Sequence, residues 1–252
     1  MEGGSDCFGK ADLHVHTAVG DGLPELEELL EYVELHTDLD VIAITDHDEI
    51  EGGLRARELA SQRGYRFEVV VGTEVTTLGG HLLALFVERP VPSLRSLAET
   101  VDAVHAQGGL CVIPHPLSWL TFSVGERALD ALLARNGQRI AGIETVNGTV
   151  AGRVVEERVR ELNRTRYHLA ETGGSDAHFL EQVGVGYTVF PGRTAAELRA
   201  GLLAGATRGE RANGKAAPVS YQDLARQQVR SLVLHPWKKV CRGVRSLREG
   251  DG

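Results

Sequence analysis

Cysteine is scarce in this chain of 252 residues, which contains only Cys7, Cys111 and Cys241. Their odd number and wide spacing exclude a disulfide framework and a thiolate zinc site, and they favour a reducing compartment. No run of 18 apolar residues occurs, and the N-terminus lacks a basic region followed by an apolar stretch. We therefore expect no membrane span and no secretory signal, and predict a cytoplasmic protein.

Basic side chains are also sparse over most of the chain. Residues 1–225 hold 20 Lys or Arg against 33 Asp or Glu, whereas residues 226–248 hold seven basic side chains and no acid. The 42% apolar content is typical of a globular core and excludes a disordered or fibrous protein. The acidic body argues against a stable nucleic-acid partner and favours bound cations.

Short runs of Val, Ile and Leu alternate with amphipathic stretches, the pattern of parallel strands joined by helices. The predicted strands are 11–16, 40–46, 68–77, 81–87, 110–115, 141–147, 168–172 and 186–190. The predicted helices are 23–36, 50–63, 93–107, 125–135, 151–165 and 194–204. Ser93 and a Thr194–Glu197 capping box mark helix starts, and glycines such as Gly64 and Gly205 mark ends. This order fits either a (β/α) barrel or a doubly wound open sheet.

Imidazoles and carboxylates recur where these strands begin or end. Alternation along a strand places His14 and His16 on one face, so both can reach one ion. A single strand-end histidine is ordinarily structural, but nine ligand-type side chains in one arrangement would be improbable by chance. The predicted metal ligands are His14, His16, Asp21, His47, Glu74, His81, His115, Asp176 and His178. Imidazole and carboxylate donors without thiolate favour Zn, Mn or Fe, and nine donors suffice for two or three divalent ions.

Neighbouring polar residues allow more than one interpretation. Asp48 is interpreted as a helix cap, and Asp46 as a partner that orients a ligand. Arg127 and Arg153 are candidate substrate-binding residues for phosphate, with an ordinary helix-surface role as the alternative. Asn147, and Glu144 beside it, could contact substrate or pack at the rim of the site.

These motifs resemble the PHP (polymerase and histidinol phosphatase) family of phosphoesterases. The resemblance rests on DLHVHT, VIAITDHD, VGTEVTT, IPHP, IETVN and GGSDAH, in that order, and covers about residues 11–210. It implies a distorted (β/α)7 barrel with a trinuclear metal site at the strand ends. One ion would be bound by His14, His16, Glu74 and Asp176, a second by Glu74, His81 and His115, and a third by Asp21, His47 and His178.

The resemblance implies hydrolysis of phosphate esters by a metal-bound hydroxide, with Glu74, Asp176 and His178 as catalytic residues. The Asp-Gly at Asp21 and Gly22 is similar to a branch that hydrolyses nucleotides and oligonucleotides. Only 28 residues separate His115 from Glu144, too few for the inserted domain of some such members. This departure leaves the identity of the substrate open. We expect a small phosphorylated substrate, with nucleotides among the candidates. A histidinol-phosphate monoesterase and an amidohydrolase-like hydrolase are the alternatives, and the absence of lysine between Lys10 and Lys215 argues against a carbamylated-lysine amidohydrolase.

The C-terminal region forms a separate predicted unit. We assign 1–212 to the catalytic domain and 213–252 to a linker and a basic amphipathic tail. Trp237 leads the apolar face of that tail, opposite Lys238, Lys239 and Arg242. This face could pack on the barrel or on a second subunit, rest on an anionic membrane through residues 220–248, or meet nucleic acid.

Overall fold

The computed structural model describes residues 7–136, 139–213 and 220–230. Its strands are β1 (Phe8–Val15), β2 (Val41–Ile44), β3 (Glu68–Thr77), β4 (Gly80–Leu85), β5 (Leu110–Ile113), β6 (Ile140–Asn147), β7 (Ala170–Gly174), β8 (Gly186–Pro191) and β9 (Arg208–Arg211). Its α-helices are α1 (Leu26–His36), α2 (Glu51–Arg63), α3 (Leu97–His105), α4 (Glu126–Asn136), α5 (Val150–Arg153), α6 (Glu156–Leu162), α7 (Ala195–Ala204) and α8 (Tyr221–Val229). The predicted tail face around Trp237 lies outside the described residues.

The strands form one sheet in the order β7-β6-β5-β4-β3-β2-β1-β8-β9. The sheet curves back on itself: Val15, the last residue of β1, pairs with Ala177, which follows the end strand β7. There the His16 amide donates to the Ala177 carbonyl at 2.9 Å, and the Ala177 amide donates to the His14 carbonyl at 3.3 Å. The sheet is therefore a nearly closed, distorted barrel rather than an open doubly wound sheet.

The expected pattern of parallel strands joined by helices holds for only part of the sheet. β3 and β4 form an antiparallel hairpin, β4 and β5 are antiparallel, and β8 runs antiparallel to both β1 and β9. The hairpin follows from the absence of a helix between β3 and β4, because only Leu78 and Gly79 connect them. This reversal brings the beginning of β4 to the same end of the barrel as the end of β3.

Apolar side chains explain how the helices pack outside the sheet. β2 and β5 are buried along their whole length. Helix α1 buries Leu26, Leu29, Leu30 and Val33, spaced at one face of a helix, against β1 and β2. The loops at the barrel ends are thus held on a rigid scaffold.

Helix boundaries mostly follow the predicted signals. The Thr194–Glu197 capping box is present, and Gly64 and Gly205 end α2 and α7 with left-handed φ of 65° and 66°. The start at Ser93 was wrong, because Ser96 caps α3 and forms a capping box with Glu99. The cap assigned to Asp48 was also wrong: Ile50 precedes α2, and the Asp48 carboxylate instead accepts from the Thr76 amide at 2.6 Å.

Two further differences concern the C-terminal half. The single helix predicted over 151–165 is divided into α5, α6 and a π-helical turn at Asn163–Tyr167, with Thr149 capping α5. Strand β9 was not predicted because its sequence, Arg-Gly-Glu-Arg, contains no apolar residue.

Among the helices of the described residues, none combines the length and the apolar character needed to span a bilayer.

Candidate metal centre

All nine predicted ligand residues lie at one end of the barrel. Strands β1, β2, β3, β5 and β7 deliver their carboxyl ends there, and β4 delivers His81 at its amino end because the β3–β4 hairpin reverses the chain. His47 pairs with Glu74 in an isolated bridge between the ends of β2 and β3. The common location of these side chains is thus a consequence of strand direction.

Glu74 lies at the centre of the cluster and is only 1% exposed. Its Oε1 lies 2.8 Å from His115 Nε2 and 2.9 Å from His81 Nδ1. Its Oε2 lies 3.1 Å from His14 Nε2, 3.3 Å from His16 Nε2 and 3.4 Å from His47 Nδ1. One carboxylate therefore faces five imidazoles, with its two oxygens directed at two separate groups.

Two aspartates extend the cluster. Asp176 Oδ1 lies 3.3 Å from His16 Nε2, 3.6 Å from His14 Nε2 and 3.7 Å from His178 Nδ1. Asp21 has one oxygen 3.6 Å from His16 Nδ1 and the other 3.4 Å from His178 Nε2. His16 thus lies between both aspartates and Glu74.

The electrostatics of the cluster keep its carboxylates ionised. Burial raises the pKa of Glu74, but the surrounding histidines, His81 foremost, outweigh burial and hold that pKa well below its usual value. The pKa values of Asp21 and Asp176 are lowered in the same way, against burial, by His178 and by His14 respectively. Three negative charges therefore persist in a region with little access to water, and such a region attracts cations.

The histidines respond to the same field. Burial lowers the pKa of His16, but Asp176 and Glu74 outweigh it and raise that pKa to about 10. For His47 burial is the larger effect, and despite Glu74 its pKa falls to about 3. His16 thus holds a proton where a metal ion would otherwise balance the carboxylates, and metal binding would release that proton.

The donor set fits divalent metal ions. Both ring nitrogens of His16, Asp21 Oδ1 and His81 Nδ1 are buried, and none of them makes a well-aligned hydrogen bond despite the close contacts between imidazoles and carboxylates. Buried polar atoms that lack hydrogen bonds are costly, and coordinated cations would satisfy Asp21 Oδ1, His81 Nδ1 and one ring nitrogen of His16. Ligand atoms within 4.8 Å of one another form four groups: His16, Asp21, His47 and His178; His14, His16 and Asp176; His14, Glu74 and His115; and His47, Glu74 and His81.

These groups overlap with the ligand sets that the resemblance implies but are not identical to them. His16 is shared between the Asp21 group and the Asp176 group, and Glu74 belongs to two groups. His81 and His115 fall into separate groups, although both lie within 2.9 Å of the same Glu74 oxygen. The observed grouping therefore departs from the implied three-ion partition at His16, His81 and His115.

Two buried carboxylates support the cluster without joining it. Asp12 accepts hydrogen bonds from the amides of Ser175 at 2.9 Å and Gly184 at 2.8 Å, which ties β1 to the chain after β7. Asp46 accepts from both the amide and the hydroxyl of Thr17 at 2.7 Å, directly after His16. Asp12 shares the alternating face of His14 and His16 but was not predicted as a site residue.

Glu144 and Asn147 occupy the interior rather than the rim. Glu144 is 2% exposed and lies 3.0 Å from His14 Nδ1. Asn147 Nδ2 donates to Glu144 at 3.0 Å and to Asp176 at 3.4 Å, and its Oδ1 accepts from Thr149. Arg127 and Arg153 are exposed on α4 and α5.

The fold and the donor set define a class of protein: a distorted barrel with a cluster of metal-ligand side chains at one end. A family model described as PHP-associated matches residues 160–207. An uncharacterized protein of Methanocaldococcus jannaschii is 34% identical over 163 residues, 59% of this chain and 92% of that protein.

Two further comparisons are with proteins whose names state an activity. A phosphoribosyl 1,2-cyclic phosphate 1,2-diphosphodiesterase of Eggerthella lenta is 35% identical over 102 residues, 38% of each chain. A crystal structure of a two-domain protein from Bacteroides vulgatus, containing a predicted PHP-like metal-dependent phosphoesterase, superposes with a TM-score of 0.65 at 20% identity, covering 89% of this chain and 70% of that one. The chain belongs to the PHP family of metal-dependent phosphoesterases.

Proposed function

We propose that this protein hydrolyses phosphate esters of small molecules at a trinuclear centre formed by the nine clustered residues. The observation that carries the proposal is the convergence of six histidines and three carboxylates, several with buried ligand atoms that make no well-aligned hydrogen bond. The diphosphodiesterase that matches 38% of the chain acts on a phosphate ester, which supports this reaction class. Zn, Mn or Fe suits the donors.

The accessible side of the centre indicates where substrate would bind. His14, His16 and Glu74 form a floor that is at most 1% exposed, whereas the side chains of His47 and His178 are 18% and 16% exposed. A phosphate group would therefore approach from the side of His47 and His178. Arg127 and Arg153, exposed on the helices that follow β5 and β6, are our candidates for contact with its outer oxygens.

Individual side chains of the cluster have different roles in the proposed hydrolysis. Bound ions would lower the pKa of a water molecule and offset charge on the phosphoryl oxygens. Glu74 presents one oxygen to each of two histidine groups and so fixes their separation. Asp176 has one oxygen beside His16 and the other accepting from Asn147, and this fixed carboxylate would orient the attacking water. His178, on the accessible side, would belong to the part of the centre that binds the phosphate group.

Kinetics with defined metals test the proposal. Protein loaded with Mn(II) or Zn(II) should hydrolyse members of a panel of p-nitrophenyl phosphate mono- and diesters, nucleotides and sugar phosphates. His14→Ala and Glu74→Ala should reduce kcat/KM to below about one hundredth of wild type, because each removes a ligand at the floor. Arg57→Ala, which breaks an exposed ion pair with Glu88, is the matched control. Activity that survives both ligand substitutions would refute the assignment.

A further inference from the structure

Glu144 makes contacts that link three strands beneath the metal centre. Its Oε1 lies 3.0 Å from Nδ1 of His14 in β1. Its Oε2 accepts from the backbone amide of His115, after β5, at 2.7 Å and from Asn147 Nδ2 at 3.0 Å. None of the four groups of clustered ligand atoms includes Glu144, so its oxygens face the ligands from behind.

The contact with His14 determines which ring nitrogen faces the centre. A carboxylate only accepts, so His14 Nδ1 must carry the proton that is shared with Glu144. In the neutral ring this leaves the lone pair on Nε2, the nitrogen that lies near Glu74 and Asp176. Histidine ligands are commonly oriented by such a carboxylate partner.

The contact with the His115 amide stabilises an unusual backbone. His115 has a φ of +29°, and Asp176, which Glu144 reaches through Asn147, has a φ of +53°. Positive φ in a residue with a side chain is strained and persists only where the surroundings hold it. The Glu144 oxygen accepting from the His115 amide provides such a constraint within the buried site.

We propose that Glu144 is a positioning residue that sets metal affinity by fixing the His14 tautomer and the backbone of His115. The inference rests on the proposed metal centre but not on any particular substrate. It assigns Glu144 to the support of ligands rather than to contact with substrate, and Asn147 to the same task, because its amide is engaged by Glu144 and Asp176.

Glu144→Gln is the informative substitution because it preserves shape. If the amide oxygen faces His14, the amide nitrogen opposes two donors, the His115 amide and Asn147 Nδ2. If the amide is reversed, its nitrogen donates to His14 Nδ1 and moves the ring proton to Nε2, which blocks the ligand atom. In either orientation we expect Zn(II) or Mn(II) affinity to fall about 10- to 100-fold.

Metal affinity is measured by titrating metal-free protein with Zn(II) against a chromophoric chelator, and metal content by elemental analysis after dialysis. Glu171→Gln is the matched control: Glu171 lies on the adjacent β7, is half-buried, and contacts Arg160 and Thr145 instead of the centre. It should retain wild-type affinity. Thermal unfolding in excess chelator identifies any loss of folding.

The outcomes separate this inference from the proposed function. A folded Glu144→Gln protein with wild-type metal affinity would overturn the positioning role even if the wild type hydrolyses esters. Weakened binding in Glu144→Gln, with Glu171→Gln unaffected, would support it even if the substrate panel shows no hydrolysis. Glu144→Asp keeps the negative charge but has a shorter side chain. Its metal affinity should lie between that of the wild type and that of Glu144→Gln.

Discussion

At the scale of single residues, burial decides which ionisable groups are chemically available. Cys111 in β5 is fully buried among the apolar side chains of the core, and burial raises the pKa of its thiol to about 12. Cys7 is exposed. The thiolate is the reactive form, so these two residues differ in reactivity as well as access.

We therefore expect iodoacetamide at pH 8 to modify Cys7 in the folded protein and to leave Cys111 intact until denaturant is added. Peptide mass spectrometry measures each site.

The buried Cys111 thiol also makes stability depend on pH. The unfolded thiol ionises near pH 9 and the folded thiol near 12, so the folded state retains a proton that the unfolded state releases. The free energy of unfolding should fall as pH rises from 9 to 12, by up to about 4 kcal/mol from this group. Cys111→Ala should show a shallower decline, and an equal slope would contradict the buried thiol.

The convergence of the candidate ligand residues was predictable from the sequence for a physical reason. Side chains at the ends of strands point to one end of a barrel, so their types and positions were enough to bring His14, Glu74 and Asp176 together. The supporting role of Glu144 was not predictable, because a single Glu at a strand end is compatible with contact to substrate, rim or ligand. Only the positions of His14 Nδ1 and the His115 amide distinguish these roles.

At the scale of elements, helix starts depend on side-chain contacts that the sequence leaves ambiguous. Ser93 and Ser96 both precede an apolar helical pattern, but only Ser96 has an acidic residue three positions later. In the structure the Ser96 hydroxyl accepts from the Glu99 amide at 3.3 Å, and Glu99 accepts from the Ser96 amide at 3.0 Å. Strand β9 was missed for a different reason: its pairing with β8, not an apolar pattern, defines it.

Ser96→Ala should lower the free energy of unfolding by about 1 kcal/mol, because it removes the cap of α3. Urea denaturation monitored by circular dichroism measures the change. Ser93→Ala is the matched control, and we expect its stability to stay within about 0.5 kcal/mol of wild type. A larger loss in Ser93→Ala than in Ser96→Ala would place the start of α3 at the earlier serine.

At the scale of the whole molecule, the barrel closes where β7 approaches β8 and β9 through glycines. A Cβ on Gly173 of β7 would lie 2.3 Å from the Tyr187 carbonyl oxygen, and one on Gly209 of β9 would lie 2.4 Å from the Thr172 carbonyl oxygen. The Gly173 amide also donates to the Thr188 hydroxyl at 2.9 Å. The two close approaches to carbonyl oxygens involve backbone atoms, so an added Cβ could be accommodated only if the strands moved apart.

Gly173→Ala should therefore lower the free energy of unfolding by about 1–3 kcal/mol, the usual cost of overpacking. The measurement is urea denaturation in excess chelator, so that bound metal does not add to the stability of either protein. Gly125→Ala is the control, since a Cβ there has no neighbour within 4 Å and its φ lies outside the left-handed range. Because β7 leads directly to Asp176 and His178, separation of β7 from β8 should also weaken Zn(II) binding. Equal stability of the two variants would contradict the tight approach at Gly173, and unchanged Zn(II) binding would show that the candidate metal centre does not depend on it.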